Sequence, residues 1–171
     1  YEGEMSQEER MAYAEKKNDI YKELLKQMST ADLSQEVKET LDALRERGLK
    51  LAVGSSSKNA GFILKQLGLG EYFDAVSDGN NITRSKPDPE VFLKAAEYLD
   101  EAPAGCLVVE DAEAGVKAAA AGGMDCAAIG DAASIVAGGG VSSVAADGTV
   151  AALGHKVYCL ESFSDLLKVV E

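Results

Sequence analysis

Residues 107–116, which read LVVEDAEAGV, indicate the fold of this chain more clearly than any other segment. An apolar segment typical of a short buried strand ends at Glu110 and Asp111, and an alanine-rich, helix-favouring segment follows at once. In an open α/β sheet, ligands bind at the carboxyl ends of the strands. Neighbouring carboxylates repel each other, and a hard cation such as Mg²⁺ would compensate their charge. The alternative is that Glu110 is solvated and Asp111 only caps the helix.

The composition is that of a globular protein. The chain has 171 residues, 46% of them hydrophobic and 27% charged, which suits one domain, or one domain and a fragment. The formal net charge of −12 argues against nucleic acid as a partner, because phosphate backbones call for a basic surface. No apolar segment is long enough to span a bilayer, so no membrane association is expected. The 3 cysteines are widely spaced, which predicts reduced core thiols and a cytoplasmic location.

Helical patterns precede the first predicted strand. Residues 5–28 are rich in Glu, Lys, Ala and Leu and predict one long amphipathic helix or two shorter ones. Lys17 lies in this segment, where a lysine usually belongs to a solvated face. Residues 35–47 predict a second amphipathic helix, and Gly48 is suited to end it.

A hydroxyl-rich segment, GSSSKN at residues 54–59, follows a strand predicted at residues 49–53. A helix is predicted to begin at Lys58 or Asn59. Hydroxyl groups and free amide N–H groups at a helix N-terminus can surround a phosphate group. The alternative is a serine helix cap with additional serines, since serine is a favoured cap residue.

The segment KPDP at residues 86–89 places a cation between these two regions. Its prolines restrict the backbone and are expected to hold Lys86 in an extended segment. A lysine between a hydroxyl-rich strand end and a carboxylate pair could balance the charge of a phosphate. Helices alternate with short apolar strands from Gln35 to Ile129, which predicts an α/β fold with a parallel sheet.

The C-terminal part of the sequence is less informative. Residues 130–154 are rich in Gly, Ala, Ser and Val and have no assigned structure. Residues 156–160 predict a last strand, and residues 162–170 a final helix. The single histidine, His155, is expected to be structural or solvated.

Together, the segments at residues 54–59, 86–89 and 110–115 resemble the second, third and fourth motifs of the haloacid dehalogenase (HAD) superfamily of phosphatases and phosphomutases. Ser-Lys-Asn at residues 57–59 and Lys-Lys-Asn-Asp at residues 16–19 are further similar to its β-phosphoglucomutase branch.

This resemblance extends from about Met5 to Ile129 and implies a HAD-like Rossmannoid parallel sheet with the remnant of a helical cap. Residues 1–30 would be the C-terminal part of the cap. Residues 31–171 would be an α/β core that lacks its first strand.

The resemblance also implies roles for individual residues. Ser55 would hydrogen-bond the transferred phosphoryl group, Lys86 would balance its charge, and Glu110 and Asp111 would hold Mg²⁺. Contacts to the second phosphate of a sugar bisphosphate would come from Lys17, Ser57, Lys58 and Asn59. The implied reaction is Mg²⁺-dependent phosphoryl transfer on a sugar phosphate, of the type that converts β-glucose 1-phosphate to glucose 6-phosphate.

One motif of the family is absent from this sequence. The family's first motif is Asp-x-Asp, whose first aspartate is the nucleophile and whose second is the general acid/base, and the chain contains no Asp-x-Asp. The chain is therefore expected to be an incomplete and inactive piece of an enzyme. The central strand, between those ending at Ser55 and Glu110, would be missing, so an N-terminal segment or self-association would cover the exposed sheet edges. Residues 145–149, AADGT, echo the motif with Ala145 at the nucleophile position, although a turn is the favoured interpretation.

Two alternatives to a mutase remain. A HAD sugar-phosphate phosphatase would pass the phosphoryl group to water, and the Ser-Lys-Asn segment favours the mutase over it. A non-catalytic remnant that binds phosphate or a partner would explain the missing nucleophile. It would not explain why Ser55, Lys86, Glu110 and Asp111 are all retained.

Overall fold

The structure is a computed structural model that describes residues 5–138, 150–152 and 155–170. The helices are α1 (Gln7–Leu25), α2 (Gln35–Glu46), α3 (Ala60–Gln66), α4 (Glu90–Leu99), α5 (Glu113–Ala121), α6 (Asp131–Ala137) and α7 (Leu166–Val169). The strands are β1 (Ala52–Gly54), β2 (Ala75–Ser77), β3 (Leu107–Glu110), β4 (Asp125–Ile129), β5 (Val150–Ala152) and β6 (His155–Leu160). Helices alternate with parallel strands, which confirms the predicted α/β class.

The strands lie in two sheets, where the sequence predicted one. Strands β1 and β2 form a parallel pair, and a second sheet has the order β3-β4-β6-β5, with β5 antiparallel to β6. Within the described residues, β1 pairs only with β2 and β3 pairs only with β4. Among the described residues, β1 and β3 therefore each have one unpaired edge.

The core lies on both faces of the four-stranded sheet. Successive side chains of a strand point to opposite faces, so Cys126 and Ala128 of β4 pack under helices α4, α5 and α6. Ala127, between them, packs with Leu44 of α2 and Leu166 of α7 on the other face. Strand β4 is thus buried on both sides, as is typical of a parallel sheet covered by helices.

Of the 3 cysteines expected to be core thiols, all are free, and only Cys126 is buried. Cys106 is half-buried and Cys159 is exposed. The prediction of reduced thiols agrees with the three free cysteines. The prediction that all three lie in the core was wrong.

Helix α1 is a single helix that begins at a capping box between Ser6 and Glu9. Its apolar residues Ile20 and Leu24 are 54% and 59% exposed, and Leu25 is its buried residue. The amphipathic packing predicted for this segment is therefore limited to its C-terminal end.

That end of α1 is attached to α3 by one amide side chain. Nε2 of Gln66 donates hydrogen bonds to the carbonyl oxygens of Met28 at 3.0 Å and Lys26 at 3.3 Å. The acceptors are the carbonyl groups of the C-cap residue of α1, Lys26, and of the segment directly after it. The first helix is thus held beside the segment that follows β1.

The C-terminal part of the chain contains helix α6 and strand β5, which had no assignment from sequence. The segment AADGT, residues 145–149, lies outside the described residues. Among the helices that the structure describes, none combines the length and the apolar character needed to cross a membrane.

Candidate functional site

The loop after β1 is folded by its own hydroxyl groups. Oγ of Ser55 accepts a hydrogen bond from the N–H of Ser57 at 3.2 Å, and Oγ of Ser57 accepts one from the N–H of Asn59 at 3.1 Å. The N–H of Ser55 donates to the carbonyl oxygen of Ser77 at the end of β2, at 2.9 Å. Since a hydroxyl group can accept and donate at once, both serines can still donate a proton to an anion.

No serine caps helix α3, so the alternative of a serine cap is wrong. The N-cap residue is Asn59, which makes no side-chain cap hydrogen bond. Its Nδ2 instead donates to Oδ1 of Asn18 on α1 at 3.1 Å. Sequence reasoning missed Asn18 as a contact, although it lies one position after Lys17. Lys17 itself is exposed on α1, and Lys58 is exposed in the loop.

A second loop supports the first one. The N–H of Gly79 donates to the carbonyl oxygen of Ser57 at 3.2 Å, and Nδ2 of Asn80 donates to that of Lys58 at 3.0 Å. The two backbones approach so closely that a Cβ at Gly79 would lie 2.5 Å from the carbonyl oxygen of Ser56. Sequence reasoning did not single out this loop, and the glycine between Asp78 and Asn80 was the available signal for a close approach.

Lys86 is bound to the first of the predicted carboxylates. Its Nζ lies 2.6 Å from Oε2 of Glu110, and the side chains are 18% and 8% exposed. The same ammonium lies 4.6 Å from the centre of the Phe92 ring. The Lys86–Pro87 peptide bond is cis. The cation and the carboxylate that the sequence placed at this site are thus in direct contact.

The segment that leads to Lys86 is fixed by Glu90, at the first turn of α4. The Glu90 carboxylate accepts hydrogen bonds from the N–H of Thr83 at 3.1 Å and the N–H of Arg84 at 2.7 Å. These bonds, that of Thr83 first, lower the pKa of Glu90. The Arg84 guanidinium also lies 3.2 Å from Asp88. The carboxylates of Glu90 and Asp88 therefore hold the segment just before Lys86 in place.

The Glu110 carboxylate is compensated by hydrogen bonds and by Lys86. Oε1 of Glu110 accepts the N–H groups of Asp111 and Ala112, both at 3.3 Å. Its side chain lies against Gly115, where a Cβ would overlap the carboxylate. Asp111 is exposed, and the N-cap residue of α5 is Ala112, without a side-chain cap bond. The alternatives of a solvated Glu110 and a capping Asp111 are therefore wrong.

These two carboxylates fit a magnesium ion that is completed by other oxygen ligands. An ionised carboxylate offers about four lone-pair sites, and the hydrogen bonds to Glu110 leave part of that capacity. Mg²⁺ usually takes one or two protein carboxylates together with waters and substrate phosphates. Within residues 5–138, 150–152 and 155–170, no group of three or more His, Cys, Asp and Glu side chains could hold a metal. Glu110 and Asp111 would thus form an acidic, open and weak site.

A comparison with protein families assigns the chain. The profile of the haloacid dehalogenase-like hydrolases matches residues 2–123, which is most of its length. The chain belongs to this family. The resemblance to the HAD superfamily inferred from the three motifs is confirmed. The matched residues include every predicted site residue. The roles of these residues remain predictions.

Characterised relatives within the HAD family include enzymes of two kinds. The chain is 36% identical to β-phosphoglucomutase of Bacillus subtilis over 122 residues, which are 71% of the chain and 54% of that protein. It is 42% identical to the fructose-1-phosphate phosphatase YqaB of Escherichia coli over 79 residues, 46% of the chain and 42% of that protein. The chain thus spans about half the length of the curated relatives that it matches.

A solved HAD structure has the same fold. The crystal structure of β-phosphoglucomutase from Clostridium difficile superimposes with a TM-score of 0.76 at 25% identity, over 97% of this chain and 67% of the other. The HAD-like α/β fold predicted from the sequence is therefore confirmed.

Proposed function

We propose that this chain carries the phosphate- and metal-binding part of a Mg²⁺-dependent phosphoryl-transfer site for a sugar phosphate, of the β-phosphoglucomutase type. The observation that supports it most directly is the largely shielded ion pair between Lys86 and Glu110, with a nitrogen–oxygen distance of 2.6 Å. This pair lies at the carboxyl end of β3, where α/β sheets bind ligands. Ser55 follows the carboxyl end of β1, and Phe92 contacts both Lys86 and Gly54.

The side chains provide what phosphoryl transfer requires of a protein, which is positioning and electrostatic stabilisation. Ser55 would donate its hydroxyl proton to a phosphoryl oxygen. Lys86 gives one N–H to Glu110 and has two further ammonium donors for the anion. Contacts with a second phosphate would come from Lys17, Ser57, Lys58 and Asn59.

Glu110 and Asp111 would hold the metal ion. When bound, Mg²⁺ supplies positive charge against the oxygens of the transferred group and orients it. Lys86 would remain beside Glu110, so that the negative charge of the two carboxylates is shared between the lysine and the ion.

The nucleophile is the part that this chain does not supply. The sequence contains no Asp-x-Asp, and serine hydroxyls are poor nucleophiles without an adjacent base. The single histidine, His155, lies in β6 and faces Asp125 at 3.8 Å. A strand that carries the family's Asp-x-Asp and enters between β1 and β3 would place a carboxylate between Ser55 and Glu110. The isolated chain is therefore expected to bind phosphate without turning it over.

A sugar-phosphate phosphatase is the second candidate. The similarity to a fructose-1-phosphate phosphatase favours it, whereas the Ser-Lys-Asn segment and the match to β-phosphoglucomutases favour the mutase. The two differ in whether the phosphoryl group passes to a sugar or to water.

A binding experiment tests the anion site. Inorganic phosphate is titrated calorimetrically into the chain and into the variants Lys86→Met and Ser55→Ala. Since a hydrogen bond to a charged group contributes about 1.5–3 kcal/mol, Lys86→Met should weaken binding ~10-fold or more. The matched control is Ser56→Ala, because Ser56 is exposed in the same loop. Equal losses in Ser55→Ala and Ser56→Ala would contradict the assignment of Ser55.

An activity experiment tests the reaction class. The chain is incubated with β-glucose 1-phosphate, glucose 1,6-bisphosphate and Mg²⁺, with and without a peptide that carries an apolar strand ending in Asp-x-Asp. Glucose 6-phosphate should form only with the peptide. Release of inorganic phosphate instead would identify a phosphatase. Turnover by the chain alone that is lost in Asp147→Asn would show that residues 145–149 act as the family's first motif.

A further inference from the structure

The ring of Phe92 lies between the two parts of the candidate site. Its edge contacts the last residue of β1, since a Cβ at Gly54 would lie 2.7 Å from Cδ1 and 2.9 Å from Cε1 of the ring. Its face is directed at Lys86, with Nζ 4.6 Å from the ring centre. Phe92 is 7% exposed and belongs to the core cluster under α4. One side chain thus contacts the strand end before Ser55 and the cation that pairs with Glu110.

This geometry restrains the lysine in a way that Glu110 alone would not. A lysine has a long, flexible side chain, and a single ion pair leaves its ammonium free to move around the carboxylate. A cation within about 6 Å of a ring centre is attracted by the negative face of the ring, and more strongly when the pair is shielded from water. The Lys86 side chain is only 18% exposed, so the pair is largely shielded.

The ring also leaves the lysine chemically available. An ammonium has three N–H donors, and the ring attracts the charge as a whole without an acceptor lone pair. Within residues 5–138 and 155–170, the described hydrogen bond of Nζ is the one to Glu110. The remaining donors can therefore be directed at an anion beside Ser55.

We propose that Phe92 is a positioning residue of this site, whose ring holds the Lys86 ammonium beside the end of β1 through a cation–π contact. The choice of phosphate as ligand rests on the proposed function, whereas the placement of the lysine does not. The close approach of the ring to Gly54 gives a physical reason for a glycine directly before Ser55, because any side chain there would displace the ring.

Graded fluorination of the ring tests the contact with little change in shape. Phe92 is replaced by mono-, di- and trifluorophenylalanine, which progressively weakens the negative face of the ring. The Kd of the chain for inorganic phosphate should rise stepwise, ~3- to 10-fold over the series, as expected for a partly shielded cation–π contact. The same series at Phe62, which is 38% exposed on α3, is the matched control and should leave the Kd unchanged. In the Lys86→Met background, fluorination of Phe92 should have no effect.

A second measurement does not depend on phosphate binding. In the free chain, the ε-methylene protons of Lys86 should be shifted upfield by the Phe92 ring, and the NMR order parameter of this group should fall with each added fluorine. A core role alone would change that order parameter little, because the fluorinated rings fill nearly the same space. A Lys86 signal without a ring shift, or an order parameter insensitive to fluorine, would overturn the proposal. Ring-shifted, fluorine-sensitive Lys86 signals in a chain that does not bind phosphate would refute the proposed function and leave the Phe92 contact established.

Discussion

The thiol of Cys126 shows how burial at a single residue sets its chemistry. This side chain lies in β4, and desolvation, with a smaller contribution from the charge of Glu110, raises its pKa from 9.0 to about 12. The neutral thiol is therefore the form that the fold accommodates. In the unfolded chain the group ionises at its ordinary pKa, so its contribution to stability is present below pH 9 and is lost as the pH rises toward 12.

We predict that Cys126 resists alkylation in the native chain at pH 8, because the thiolate is the reactive form and burial disfavours it. Cys159 is exposed and serves as the internal control, which should be labelled first. Mass spectrometry after timed iodoacetamide labelling measures both sites. Labelling of Cys126 as fast as Cys159 without denaturant would contradict the burial of β4.

Gly79 is a second residue at which local geometry leads to a prediction. Gly79→Ala would place a Cβ 2.5 Å from the carbonyl oxygen of Ser56, so the loop after β1 must shift. Overpacking of this kind costs about 1–3 kcal/mol, and the shift should also weaken phosphate binding. Chemical denaturation and phosphate titration measure the two effects.

Gly61→Ala is the matched control for Gly79→Ala. Gly61 lies in α3 and a Cβ there meets nothing within 4 Å. Because glycine within a helix is less favourable than alanine by about 0.5–1 kcal/mol, this variant should be slightly more stable and should bind phosphate normally. A loss of stability in both variants would point to a general effect of alanine substitution.

At the scale of elements, the C-terminal helix is entered through a charged turn. Oδ2 of Asp165 accepts the N–H of Ser162 at 3.0 Å, and Oδ1 lies 2.6 Å from Nζ of Lys168. These contacts, that of Lys168 first, lower the pKa of Asp165 from 3.8 to about 2. The turn positions Leu166, which packs against the sheet.

We predict that this turn weakens in acid. Because the folded pKa of Asp165 lies below its ordinary value, its stabilising effect is fully present above pH 3.8 and is lost as the pH falls through about 2. Asp165→Asn should therefore lower the denaturation midpoint at pH 6 and lower it much less at pH 2, where about half of the folded-state carboxylates are already protonated. Asp131→Asn, an exposed carboxylate on α6, controls for the removal of negative charge. A deficit of Asp165→Asn that persists unchanged at pH 2 would refute the role of the ionised carboxylate.

At the scale of the whole molecule, the two sheets leave β1 and β3 with edges that are unpaired among the described residues. The N–H of Ser55 is directed at β2, where it donates to Ser77. Since successive residues of a strand alternate, the N–H of Gly54 is directed at the opposite, unpaired edge.

We therefore predict that the amide of Gly54 exchanges with solvent much faster than that of Ser55. Addition of a strand peptide ending in Asp-x-Asp should slow the exchange at Gly54, because a strand placed between β1 and β3 would accept its hydrogen bond. A polar peptide of equal length is the control. Slow exchange at Gly54 in the dilute chain alone would show that this edge is already covered, and sedimentation would then reveal whether a second copy covers it.

The sequence by itself determined the α/β class, the alternation of helices and strands from Gln35 to Ile129, and the family. Local periodicity and a terminal glycine placed α2 within a residue of its observed bounds, and three short motifs identified the HAD superfamily. Apolar character did not determine burial, since Leu49, predicted to belong to a buried strand, is 40% exposed and lies before β1.

Only the tertiary structure decided how the site residues meet. The Lys86–Glu110 pair joins positions 24 residues apart, and the ring of Phe92, on α4, meets Gly54 at the end of β1. The split into two sheets likewise depends on which strands become neighbours. Helices and strands follow from interactions between residues a few positions apart, which a sequence displays directly. Contacts between distant segments depend on how the connecting loops close and on which surfaces then pack. A local sequence pattern does not show which distant residues will meet.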